Sequence, residues 1–217
     1  MLRLFILLMT ILFFSQASFS EDLSDFQNVA SSPDGKLIAI VKPTKKPIPD
    51  SCSIRDNSDS DTAIDPDTGQ PIDIAQDKNT DYAQQIWIYD VKSKKQKVLV
   101  HANFSCNDPE KQILDPQELK FSPGGKKLYF MTTGWVTSAA LHVVNVDGKH
   151  EHYLIPANDY SIIPKGEYKG YIIAWQHRYF VAPGSYNWYS LYTPSGKKIG
   201  SLGKEVTKDQ MDYLESK

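Results

Sequence analysis

The chain is short of cysteine, has no surplus of either charge, and carries only one long apolar run. It holds 2 cysteines in 217 residues, too few for a disulfide-dense scaffold or a paired-CxxC zinc site. Basic and acidic side chains number 24 and 26, a net charge of -2. That balance leaves no basic footprint for nucleic acid, and there is no basic amphipathic stretch for anionic lipid. No glycine-rich phosphate loop precedes a helix. Sustained i, i+3, i+4 apolar spacing is missing before the C-terminus, which excludes a helical bundle. The content is 41% hydrophobic and 12% aromatic, more than a disordered tail carries.

The apolar run is at the start. Met1-Leu2-Arg3 is followed by Leu4 to Phe14, broken only by Thr10, and then by Ser15-Gln16-Ala17-Ser18-Phe19-Ser20. Positive start, apolar stretch and small residues are the order of a secretory signal peptide, with cleavage after Ala17 or Ser20. The stretch is shorter than the roughly 20 residues of a membrane span. Residues 1–20 are therefore expected to be an address, and 21–217 one exported domain. The expected location is the periplasm or the exterior of a bacterium, with no stable membrane insertion after cleavage. Cys52 and Cys106 lie in the exported part, where disulfides persist. Two cysteines allow a single intramolecular bridge; free thiols or an intermolecular bond are the alternatives.

The rest reads as short strands. Leu37–Val41, Gln85–Asp90, Lys97–Val100, Glu118–Phe121, Lys127–Met131, Leu141–Val146, Tyr153–Ile155, Tyr171–Trp175 and Trp188–Tyr192 are rich in β-branched and aromatic residues. Glycine, proline, aspartate and serine punctuate them. Asp147-Gly148 predicts a type I′ hairpin turn. Thr207 to Ser216 predicts one short C-terminal helix, with Thr207 as its cap. Residues 43–83 differ: five prolines and nine aspartates make an acidic, proline-rich insertion with no core of its own.

An internal repeat organises the strands. Ser32-Pro33-Asp34-Gly35-Lys36-Leu37-Ile38-Ala39 recurs as Ser122-Pro123-Gly124-Gly125-Lys126-Lys127-Leu128-Tyr129. Trp87-Ile88-Tyr89-Asp90-Val91 has its counterpart in Val143 to Gly148, and a weaker third copy ends at Ser190 to Lys197. Without the insertion the period is about 40 to 50 residues, that of propeller blades. The Ser-Pro-Asp-Gly-Lys strand followed by Ile-Trp-Ile-Tyr-Asp-Val resembles the TolB-type β-propeller repeat, over about residues 26 to 201. The stretches 176–180 and 184–189 also resemble exported bacterial proteins. The resemblance implies an all-β fold of three four-stranded antiparallel blades, an open or partial propeller, since rings take about four to eight.

Candidate chemistry is sparse. Trp175, Gln176, His177, Arg178 and Tyr179, then Tyr186, Asn187, Trp188 and Tyr189, flank a turn and predict an aromatic hairpin. Aromatic faces beside Arg, His and Asn suit a peptide, a partner loop or a sugar; for the two tryptophans themselves a place in the core is the favoured reading. Strand alternation puts Trp175, His177 and Tyr179 on one face and Gln176, Arg178 and Phe180 on the other. Arg178 has no nearby acid. His150-Glu151-His152 on a strand would place two histidines on one face, as two metal ligands, without a third. Asp59-Ser60-Asp61 and Asp65-Pro66-Asp67-Thr68-Gly69 lack the full calcium-loop pattern. Gly184-Ser185-Tyr186 lacks the second glycine of a nucleophile elbow.

The expected function is a non-enzymatic binding module for another envelope or extracellular protein, using Trp175, His177, Arg178, Tyr179, Tyr186, Asn187 and Trp188. The alternatives are a glycan or small-ligand binder at the same hairpin, and a hydrolase or lyase using His177. No metal, no cofactor and no nucleic acid is expected.

Overall fold

A computed structural model of the chain describes residues 28–49, 52, 63–64, 71–72, 82–180 and 184–216. Both candidate cleavage sites and both aspartate-rich loops of the insertion lie outside the described residues. The first sheet runs β1 (Val29–Ser31), β2 (Leu37–Pro47), β5 (Tyr82–Asp90) and β6 (Lys95–Val100), with a two-residue pair β3 (Ala63–Ile64) and β4 (Pro71–Ile72) between β2 and β5. The second runs β7 (Gln117–Phe121), β8 (Lys127–Trp135), β9 (Ser138–Asn145) and β10 (His152–Ala157). The third runs β11 (Asp159–Ile162), β12 (Ile172–Tyr179), β13 (Ser185–Tyr192) and β14 (Lys198–Gly203), and α1 (Lys208–Ser216) follows. Each sheet is an antiparallel meander of four strands. These are the three expected blades.

The blades stack face to face. Ala39, Val41, Ile86 and Ile88 of the first meet Leu128, Phe130 and Val144 of the second. Strand alternation sends Tyr129, Met131, Leu141 and Val143 to the opposite face, where they meet Tyr160, Ile172, Ala174 and Tyr192 of the third. The middle blade is thus buried on both faces, which is why β8 and β9 read as unbroken apolar runs. The far face of the third blade, Ile163, Ile173 and Leu191, is covered by Leu214 and Met211 of α1. Thr207 and Gln210 form a reciprocal cap at its start, amide to side chain at 2.9 and 3.2 Å. Among the described residues no apolar cluster joins the third blade to the first. The stack is open.

The repeated motif makes the turn between the first two strands of a blade. Ser32 Oγ accepts the Leu37 amide at 2.9 Å and donates to Asp34 Oδ1 at 2.7 Å. Ser122 Oγ accepts the Lys127 amide at 3.1 Å. Gly35 and Gly125 sit at φ 68° and 67°, a region that favours glycine. Lys36 and Ser32 hold the Asp34 carboxyl down to about 2, mainly by hydrogen bonds. The Asp147-Gly148 turn differs from the type I′ expectation. Gly148 donates to Asn145 O at 2.8 Å, and Gly148 is left-handed (φ 89°) while Asp147 is not. A type I turn closed by a left-handed glycine is a three-residue hairpin loop.

The two middle strands of each blade are 8–11 residues long, the flanking strands 3–6. The middle pair therefore outruns its neighbours as a two-stranded arm. β2 continues to Pro47, well past the apolar run, and Pro43 pairs with Gln84. Pro43 is tolerated because β1 reaches only to Ile40, so no second neighbour needs its missing amide hydrogen. Meander geometry places all three arms at one end of the stack and the other two turns of each blade at the opposite end. Contacts between blades agree. A Cβ on Gly125 would lie 3.7 Å from Pro33, Lys97 Nζ donates to Asp147 O at 3.0 Å, and Tyr129 OH donates to Pro194 O at 3.4 Å.

Candidate binding surface

The hairpin expected from 175–189 exists as the arm of the third blade. Its register pairs Trp175 with Tyr189, Gln176 with Trp188, His177 with Asn187 and Arg178 with Tyr186. Cross-strand partners share a face, so the seven expected residues divide. Trp175, His177, Tyr179 and Asn187 lie on one face, Arg178, Tyr186 and Trp188 on the other. His177 Nδ1 is 3.0 Å from Asn187 Oδ1, and its ring meets Tyr179 edge-on at 5.0 Å. On the other face Tyr186 packs on Phe180 at 4.7 Å and edge-on against Trp188 at 5.8 Å. The seven form two ladders, not one pocket. Trp175 and Trp188 are half-buried, between the core and surface readings.

Arg178 finds an amide in place of an acid. Its guanidinium donates to Gln176 Oε1 at 2.5 Å. The same oxygen accepts Tyr192 OH at 2.7 Å, and Gln176 Nε2 donates to Pro156 O at 2.6 Å. Gln176 is buried and ties β12 to β10 of the middle blade. Gln176→Leu is expected to cost roughly 2–3 kcal/mol, because a buried carbonyl and a buried hydroxyl lose their partner. Urea denaturation measures it, and a midpoint equal to wild type would show that water replaces the amide.

The arm of the middle blade supplies what the sequence pattern did not single out. Trp135 and Val136 are exposed at its tip, Val136 completely so. Gly134, just before them, lies tight against β9: a Cβ there would lie 2.8 Å from Ser138 O and Ala140 N, which no side chain tolerates. Tyr179 and Phe180 are exposed on the neighbouring arm. Tyr179 OH donates to Thr137 Oγ1 at 3.0 Å, and Asn158 Nδ2 to Thr137 O at 2.7 Å. Two apolar arm tips are thereby tied together. Tyr179 and Phe180 belong to the expected hairpin, whereas Trp135 and Val136 sit on a tip too short to carry a hydrophobic pattern.

The histidine pair is separated. His150 is a turn residue at φ 58°, and only His152 belongs to β10. Glu151 reaches across to His142 Nδ1 at 2.8 Å instead. His142 is buried, stacked on Phe130 at 5.4 Å, with Nε2 unpartnered. Tyr153 meets it edge-on, its hydroxyl pushed up to about 12 by burial and then by the Glu110 charge. Among the described residues no three His, Cys, Asp or Glu side chains are placed to hold a metal. Along the inner strands, Lys120 donates to Tyr160 O at 2.5 Å and pairs with Glu118 at 3.2 Å and Asp159 at 3.6 Å. The bonds to Tyr160 and Asp159 join the second blade to the third. Ser185 starts β13, not a strand-to-helix turn.

No protein-family model and no curated protein matches the chain. Its structural neighbours include β-propeller proteins. One is the β-propeller domain of the Trilobed protease from Pyrococcus furiosus, at 15% identity and TM-score 0.43, covering 83% of this chain and 43% of that one. Another is a gluconolactonase from Xanthomonas campestris, at 13% identity and TM-score 0.40, covering 81% and 46%. A third is a putative TolB from Agrobacterium tumefaciens, at 16% identity and TM-score 0.37, covering 81% and 64%. The chain spans less than two thirds of each of these neighbours.

Proposed function

We propose that the chain is an exported, non-enzymatic binding module, a short open relative of TolB-type propellers, that holds another envelope or extracellular protein at its arm end. One observation carries this reading. Trp135 and Val136 are exposed on the tip of one arm, Tyr179 and Phe180 on the tip of the next, and the Tyr179–Thr137 hydrogen bond joins the two tips. Aromatic side chains exposed on adjoining strand tips are efficient partner anchors. A periplasmic or secreted setting suits the Cys52–Cys106 bridge at the same end.

The test is cross-linking of the chain in its own envelope, with mass spectrometry of what is captured. Val136→Asp with Phe180→Ser should abolish capture of the specific partner, an effect of at least tenfold, and leave the melting temperature alone. Both side chains are exposed, so neither substitution opens a cavity. An identical captured set in the variant sinks the proposal. A tryptophan fluorescence change with sugars that the variant loses would replace the protein partner by a glycan.

A further inference from the structure

We infer that the end of the stack opposite the arms is a basic face that docks on an anionic lipid surface. The lysines that make it are scattered along the chain, two or more to a blade. Lys36, Lys92, Lys94, Lys95 and Lys97 come from the turns and outer strand of the first blade. Lys126, Lys127 and Lys149 come from the second, and Lys165, Lys169, Lys197 and Lys198 from the third. That is twelve of the chain's lysines on one end, against Asp34, Asp90, Asp147, Glu151, Glu167 and Glu215. All twelve are exposed except Lys127, which is half-buried.

The six carboxylates do not neutralise them. Asp34 is held by Lys36 at 2.9 Å and Glu215 by Lys165 at 3.3 Å. Glu151 is engaged with His142, and Asp90 with the Ser93 amide at 2.6 Å. Lys94, Lys95, Lys126, Lys127, Lys149, Lys169, Lys197 and Lys198 make no ion pair among the described residues. Like charges gathered on adjacent turns disfavour the folded state. Their accumulation is explained by an anionic partner. The acidic insertion is attached at the other end, between Pro47 and Tyr82, so the overall charge balance conceals the polarity.

Three features favour lipid phosphates over other polyanions. The charges sit on the turns of all three blades, a broad array spread over one end and not a single line of charge. They are lysines, flexible point charges, with no arginine among them, whereas bidentate recognition of phosphate selects arginine. Among the described residues this face has no exposed aromatic ring for base stacking: Tyr168 and Tyr171 are half-buried against each other at 5.3 Å. Val91 is exposed among Lys92, Lys94 and Lys95, placed to enter the headgroup layer. Lys95 and Lys97 also rim a cleft of about 360 Å³ floored by Leu37, Ile88 and Val146, wide enough for part of one headgroup. Each lysine near an anionic leaflet adds to the attraction, and the sum falls within a Debye length. This docking is independent of the arm tips, which would then point away from the membrane.

The experiment is vesicle flotation with the purified chain. Vesicles of phosphatidylcholine alone are compared with phosphatidylglycerol mixed into phosphatidylcholine. Binding is expected only to the anionic vesicles and should fall steeply as salt rises. Lys94→Gln, Lys95→Gln, Lys126→Gln, Lys149→Gln and Lys197→Gln combined should weaken it at least tenfold. The five Lys→Arg replacements should keep it, and Lys45→Gln with Lys111→Gln at the arm end should leave it unchanged. If the glutamine variant melts early, the salt titration of the wild type decides. Equal binding to neutral vesicles, binding to neither, or undiminished binding by a folded glutamine variant overturns the inference. Capture by soluble heparin or polyphosphate without vesicle binding also overturns it, in favour of a free polyanion.

Discussion

Phe130→Ala is expected to destabilise the chain by about 3–5 kcal/mol. Phe130 is completely buried in the layer between the first and second blades. Its ring stacks on His142, cross-strand on β9, with the planes 20° apart. Truncation leaves a cavity between two sheets that are held apart by their other side chains, so the site collapses poorly. It also bares one face of a buried imidazole that is hydrogen-bonded to Glu151. Urea denaturation followed by tryptophan fluorescence is informative because each blade holds its own reporter: Trp87, Trp135, and Trp175 with Trp188. A single shifted midpoint for all reporters means that the three blades unfold together. A shift confined to Trp87 and Trp135 would mean that the third blade, capped by α1, is its own folding unit.

Loss of the disulfide is the second large effect. Cys52 and Cys106 are bonded, with Cα atoms 4.8 Å apart and a sequence separation of 54. Closing a loop of that length in the unfolded chain is worth about 4 kcal/mol in the chain-entropy model. The bond clips the chain beyond β2 to the loop between β6 and β7, beside Lys46, whose ammonium lies 4.3 Å from the Phe104 ring. Cys52→Ser, Cys106→Ser and chemical reduction should therefore lower the thermal midpoint by similar amounts, and reductant should add nothing to either variant. An unchanged midpoint on reduction would place this region among the segments that open before global unfolding.

Much of the fold was legible because it is local. The Ser32 and Ser122 motifs announce their turns through a serine hydroxyl, a proline and a left-handed glycine, all within six residues. Thr207 and Gln210 announce α1 in the same way. Strand ends were less legible: β2 passes through Pro43 because the chain there has one neighbour instead of two, and neighbours belong to the sheet, not the segment. The seven expected site residues share one hairpin, but its register sends them to two faces. Trp135 and Val136 gave no pattern, since an arm tip is about two residues long and is exposed because the sheet stops there.

By itself the sequence determined three antiparallel blades, the short helix and the single intramolecular pairing open to two cysteines. These follow from alternation, turn chemistry and spacing, which act over a few residues. The tertiary structure decided what faces what. Stacking the blades in one orientation brings the strand-two-to-three arms to one end and the lysine-bearing turns to the other. Charges that balance along the chain separate in space, because the repeat puts lysines in the same turns of successive blades. A surface of that kind has no contiguous stretch in the sequence to betray it. It arises when residues far apart in the chain are held side by side by buried contacts such as Phe130 on His142 and Tyr129 on Pro194.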